Sequence, residues 1–305
     1  MGTFSRSWDL VKQSFAVLMS DKELMWLPVI SGIFCLFATV IIWGTGFLFL
    51  VPPGPIPQDA IRQKLLAEQL APVAFVFYVV TYTIANYFNV ALVSIASDRL
   101  AGGHARLNDG LQIAWQRKWA IFQWALLAAT VGMILQALER RMKFVGRMIL
   151  GFTGVVWSLA SFFVVPVLAA ENLGPIDALS KSASIYRRTW GEQALGAFSL
   201  GAVFFLFMLP AIAFPMISVW YFGPHSVMTG MAVAGIYILV LSIVGSAARG
   251  VFVAALYRYA TTGQVPGGFD ANDFRGSAPP PDNWQSRNDL DGWRPPRNDW
   301  EPRDL

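Results

Sequence analysis

The chain has 305 residues, 55% of them hydrophobic and only 14% charged, where a soluble domain carries roughly a quarter charged. That composition excludes an ordinary water-soluble globule and makes a lipid-solvated protein the class to test. The net charge of +4 is unevenly spread: residues 1–260 carry 18 basic and 11 acidic residues, a net of +7, whereas residues 261–305 carry 5 and 8, a net of −3. A basic membrane part with a mildly acidic tail points to anionic lipid headgroups as neighbours and away from nucleic acid.

Twelve Trp and 23 Phe suit a protein with two water–lipid interfaces to line, since aromatic rings collect at headgroup depth. Cys35 is the single cysteine; it cannot form an internal disulfide and reads as packing within an apolar run.

In chain order, the first element is the decamer from Arg6 to Phe15, which is nearly rewritten from Lys181 to Trp190. Trp8, Val11, Phe15 and Leu18 share one helical face, as do Ile176, Leu179, Ala183, Tyr186 and Trp190, with basic residues opposite. Each decamer is predicted to be an amphipathic helix on a membrane surface, with Trp8, Phe15, Tyr186 and Trp190 as interfacial anchors. A looser third copy runs from Leu107 through Leu111, Ala114 and Trp115 to Lys118.

Ser20-Asp21-Lys22-Glu23 has capping-box spacing, so a helix is expected to start there. The first span then covers about residues 24–51 and stops at the proline-rich run 52–57. The length argues against a cleaved signal peptide, whose apolar region would be far shorter. Asp59 to Leu70 is a polar, helix-prone excursion, and Pro72 is placed to open the second span, about residues 72–97. On that span Tyr78, Tyr82, Asn86 and Asn89 form a polar stripe on one face. Two readings stay open for the stripe, interhelical hydrogen bonds that fix packing and a solute-binding face.

The third and fourth spans cover about residues 119–138 and 144–170, with Pro166 as a kink; the fifth covers about 194–219, with bends at Pro210 and Pro215; the sixth covers about 227–248, its helix continuing toward Tyr259. Arg249 either snorkels to the inner interface or is buried as one half of an ion pair with Glu171. From Gln264 to Leu305 Pro, Asp, Asn and Arg dominate, and the tail is predicted to be disordered. Its tryptophans, Trp284, Trp293 and Trp300, read as partner anchors, as dips into the membrane surface, or as a silent tail.

Six spans put both termini on one side. Taking that side as cytoplasmic places eleven basic residues inside against six outside, which satisfies the positive-inside rule except at the basic loop 139–147.

No catalytic chemistry is legible. His104 and His225 are the only histidines, predicted on opposite sides of the membrane, which removes His-based metal sites and most triads. No metal, cofactor, nucleotide loop or paired carboxylates are expected.

The order of features resembles an uncharacterised prokaryotic membrane family, domain of unknown function 6159. The resemblance is carried by Ser7-Trp8-Asp9-Leu10 with Asp21-Lys22-Glu23-Leu24, the run from Trp124 to Gly132, that from Phe162 to Leu168, Arg188-Thr189-Trp190-Gly191-Glu192, and the run from Leu256 to Gly263. It covers roughly residues 1–270 and implies multipass topology, with no activity or site residues to transfer. The expectation is an all-α integral membrane bundle of six transmembrane helices in three hairpins, residues 1–263, each hairpin preceded by a cytoplasmic-side amphipathic helix. Its expected place is the plasma membrane, with a tail at 264–305 free for a protein partner. The leading functional expectation is a non-enzymatic, membrane-organising or partner-binding protein. The alternatives are a small-solute transporter or channel using the polar face of the second span and, more weakly, a membrane enzyme.

Overall fold

The structure, a computed structural model, describes Phe15, Leu18, Met19 and residues 22–50, 60–142, 144–190, 205–264, 266 and 267. Every regular element among them is helical. A 3-10 turn Lys22–Met25 leads into α1 (Trp26–Leu50); α2 (Ala60–Leu100), α3 (Leu107–Gln116), α4 (Lys118–Arg141), α5 (Phe144–Ala160), α6 (Val164–Ala170), α7 (Pro175–Trp190), α8 (Pro210–Phe222) and α9 (Val227–Thr262) follow. Most of the first decamer lies outside the described residues, as do residues 191–204 and the tail beyond Gly267.

Among the described residues, six segments are long and apolar enough to cross a membrane: Glu23–Leu50, Glu68–Leu100, Lys118–Glu139, Leu150–Ala170, Phe205–Phe222 and Val227–Thr262. The shortest has 18 residues, about 27 Å at a 1.5 Å rise, close to the roughly 30 Å of hydrocarbon. Their outward surface is apolar. Phe37, Val40, Leu48 and Phe49 on α1, Ile212 and Trp220 on α8, and Met228 and Ile236 on α9 are all exposed. So large an apolar exterior is unstable in water and suits lipid. The protein is therefore read as a multipass membrane protein.

Three elements differ from their sequence reading, each for a backbone reason. Pro72 lies inside α2, which runs unbroken from Ala60; the polar stretch and the span form one helix, because a membrane helix tolerates the single lost N–H. In the fourth span the break comes before Pro166: α5 ends at Ala160, a turn covers Ser161 to Phe163, and Pro166 sits in the first turn of α6. There its missing N–H costs nothing. Pro210 similarly opens α8 after a turn at Leu209.

The described residues divide into two compact units, one within Met1–Trp26, Leu92–Leu107 and Ile185–Leu305, the other within Leu27–Ala91 and Asn108–Ser184. In the second, Phe34 packs on Phe88 with ring centroids 5.9 Å apart, Trp43 on Phe77 at 5.7 Å, and Trp124 stacks on Trp157 at 5.9 Å. In the first, α9 changes character along its length. Its N-terminal half is exposed, while nearly every residue from Ala247 to Ala260 is buried. Burial all round marks a core helix.

Where the span Phe205–Phe222 meets residues 226–262, Tyr237 donates to the Phe207 carbonyl at 2.7 Å, and the Ser218 and Ser226 hydroxyls each donate to the other's carbonyl, at 2.5 and 2.6 Å. Gly230 allows that approach. A Cβ there would lie 2.7 Å from Pro215 Cα and 2.9 Å from the Phe214 carbonyl oxygen. Backbone atoms cannot swing aside, so Gly230→Ala is expected to cost about 1–3 kcal/mol as overpacking. Gly235, with nothing within 4 Å of an added Cβ, should accept Ala neutrally or with a small gain in helix propensity. Thermal unfolding of the two variants in detergent checks the contrast.

Candidate functional site: a buried carboxylate at a helix junction

The short helix α6 is held at both ends by consecutive residues of α7. At its N-terminal side the Phe163 N–H, freed by the chain break, donates to Ser182 Oγ at 2.9 Å, and Ser182 is fully buried. At its C-terminal side Glu171 is the capping residue, in extended conformation, with its N–H on the Val167 carbonyl at 2.8 Å. The Lys181 ammonium donates to Glu171 Oε2 at 2.8 Å.

The local sequence makes this possible. Asn172-Leu173-Gly174 reverses the chain, and Pro175, whose φ is preset for the first helical turn, starts α7 at once. Lys181 is thereby brought back to the carboxylate only ten residues after it. A carboxylate at a helix C-terminus faces the negative end of the helix dipole and needs a cation nearby. Lys181 supplies it.

Glu171 is 7% exposed, and an unpaired carboxylate that deeply buried would be very costly. A second cation acts on it. Arg117, in the turn joining α3 to α4, feels the Glu171 charge. Burial nevertheless pushes the Arg117 pKa down, with Glu171 opposing. Burial likewise pushes Lys181 down, opposed by the hydrogen bond and charge of Glu171. For both cations desolvation outweighs the attraction of the single acid. The Arg117 Nε is buried and has no hydrogen-bond partner.

Next to it the surface is aromatic and basic. Lys118 Nζ lies 3.9 Å from the centroid of the Trp115 ring, and Trp115 and Trp119 are both exposed. Trp beside Lys at a span end is the chemistry of the headgroup layer.

The residues singled out from sequence are placed as follows. Tyr78 and Tyr82 are exposed and stack on each other at 6.4 Å. Asn86 is buried and donates to the Tyr82 carbonyl of its own helix at 2.7 Å, while Asn89 is half-buried. Arg249 is exposed on α9, in the other compact unit from Glu171. Phe15 is exposed; Tyr186 is buried, which raises the pKa of its phenol. Trp8 and the Trp190 side chain lie outside the described residues. Sequence reasoning named Glu171 but neither Lys181 nor Arg117 beside it. The available signal was a lysine nearly two turns into a helix that starts at Pro175, immediately after the carboxylate's own turn.

No group of three or more His, Cys, Asp or Glu side chains that could hold a metal ion occurs among the described residues. A family of unknown function (DUF6159) matches residues 69–268. The chain belongs to this family. The DUF6159 match begins inside α2 and ends just beyond α9, so it contains Arg117, Glu171 and Lys181 and leaves α1 outside. No curated protein and no solved structure matches the chain.

A buried charge is costly to leave alone, so removing the acid should hurt more than removing the acid and Lys181 together. Glu171→Leu alone, which leaves Lys181 and Arg117 without this acid, is expected to cost about 3 kcal/mol, and adding Lys181→Met should recover part of that loss, the Arg117 charge still lacking Glu171. Thermal unfolding of the single and double variants, read as a double-mutant cycle, measures the coupling.

Proposed function

We propose that this DUF6159 member is a non-enzymatic, six-span protein of the plasma membrane that organises lipid and protein partners at its cytoplasmic face. Buried Asn86 carries the reading, since it spends its amide on the Tyr82 carbonyl of its own helix. The Thr39, Thr81, Thr83 and Thr130 hydroxyls likewise donate to carbonyls four residues back. Polar groups satisfied within their own helices leave little to line a solute path. The ionisable side chains of the junction instead cluster at span ends.

Of the three hairpins, the first and the third are supported by contacts whose residue numbers rise on one segment as they fall on the other. Phe34–Phe88 and Trp43–Phe77 relate α1 to α2 in this way, and Tyr237–Phe207 and Ser226–Ser218 relate residues 226–262 to the span Phe205–Phe222. Amphipathic helices leading into the hairpins, a cytoplasmic location for both termini, attraction to anionic headgroups, and a tail that engages a protein partner complete the proposal. The first follows from the repeated decamer, the next two from the distribution of basic residues, and the last from the tail's composition.

Water distinguishes this reading from a solute path. In a Cys35→Ala background, Asn86→Cys is expected to resist a membrane-impermeant maleimide, while Trp115→Cys reacts at least about ten times faster. Equal labelling would place a water-filled route at Asn86 and overturn the organising role in favour of transport.

A further inference from the structure

We propose that the tip of the α8–α9 hairpin is a lipid-binding surface, in which Trp220, Tyr221 and Phe222 lie in the headgroup layer of the bilayer and hold the turn 223–226 at that depth. This lipid contact is separate from the cytoplasmic one proposed above, and it rests only on the membrane reading of the two spans.

Charge is absent from this part of the chain. Residues 194–248 contain no Asp, Glu, Lys or Arg, so no strongly hydrated group pulls the turn out into water. His225, the one titratable side chain of the turn, is exposed, and an apolar ring with a polar edge suits the boundary between hydrocarbon and water. The backbone of the turn is satisfied internally. Gly223, at φ 83°, ends α8 with its N–H on the Val219 carbonyl at 2.9 Å. The Gly223 carbonyl accepts from the Ser226 N–H at 3.1 Å, and the Ser226 carbonyl accepts from the Ser218 hydroxyl at 2.5 Å. A turn whose carbonyls are met by the protein itself can stay in a poorly hydrated layer.

The rings identify the occupant. Trp220, Tyr221 and Phe222 are 83%, 72% and 79% exposed, and the Trp220 and Tyr221 rings lie 5.6 Å apart. Successive helical residues are about 100° apart, so three in a row spread over about 200° of the helix circumference. A partner protein or a second copy docked on one side would leave part of that arc uncovered, whereas a lipid layer around the helix meets all of it. The three rings also end the span Phe205–Phe222, the depth at which amphipathic Trp and Tyr rings collect.

The test uses the full-length protein in a Cys35→Ala background, reconstituted in phosphatidylcholine vesicles with a bimane label at Tyr221→Cys. Quenching is compared between phosphatidylcholines brominated near the headgroup, phosphatidylcholines brominated deep in the acyl chains, and aqueous iodide on both sides. Shallow bromines should quench about threefold more strongly than deep ones, and Phe37→Cys, exposed at the middle of Glu23–Leu50, should show the reverse order. Quenching of Tyr221→Cys by iodide alone would put the tip in water, quenching greatest with deep bromines would put it in hydrocarbon, and no quenching by either would mean that a second copy covers it. Each of these overturns the inference. Loss of lipid quenching at Phe37→Cys as well would overturn the membrane reading itself, so the two failures are separable. Should Tyr221→Cys fail to fold, His225→Cys, at an exposed position of the turn, is read by the same comparison.

Discussion

Hydrocarbon offers no hydrogen bonds, so every polar group that enters it must be satisfied by the protein itself. The described helices follow that constraint in detail. Threonines on α1, α2 and α4 return their hydroxyls to carbonyls of the preceding turn. Asn86 does the same with its amide. Apolar side chains can then cover the outside, as Phe49 on α1 and Trp220 on α8 do. The cost of this economy is that few groups remain to bind helices to each other, and the contacts between them rely on rings and on close approach. Trp124 on Trp157 and the bare Cα of Gly230 against Pro215 are the two modes.

Where the backbone ladder is interrupted, the same constraint produces a dense polar junction. The break at Ser161 to Phe163 frees the Phe163 N–H, and Ser182 takes it. One residue earlier on α7, Lys181 meets the carboxylate at the other end of α6. A single helical turn of α7 thus satisfies both ends of a seven-residue helix. Arg117 adds a cation from a different part of the chain. The junction therefore combines local chain reversal with a longer-range electrostatic influence.

The long apolar runs are legible in the amino-acid sequence, because a span needs only length and the absence of charge. Among the described residues six helical segments are long and apolar enough to span, and helix is the regular structure that hydrocarbon favours for such runs. Ends are less legible. Pro72 lies inside a helix and Pro166 lies after a break, since whether proline opens, kinks or follows an interruption depends on which carbonyl and which N–H find partners elsewhere. At the site, Glu171 stands out as a carboxylate at a span end, but its partner does not. Arg249 and Lys181 are equally basic letters in the sequence. Only the turn through Gly174 and Pro175 selects Lys181 as a partner at 2.8 Å, and nothing in local spacing shows Arg117 approaching from the α3–α4 turn.

By itself, then, the sequence determined that the chain is helical, lipid-solvated and multipass, because these follow from composition and from periodicity along one dimension. The tertiary structure decided which polar groups are buried and what they face. It made the C-terminal half of α9 a core helix while leaving its more apolar N-terminal half exposed. It turned Ser182, one small hydroxyl in a repeated decamer, into the acceptor that holds a broken helix. Burial and pairing depend on residues far apart in the chain, and no reading of neighbours along the chain contains that information.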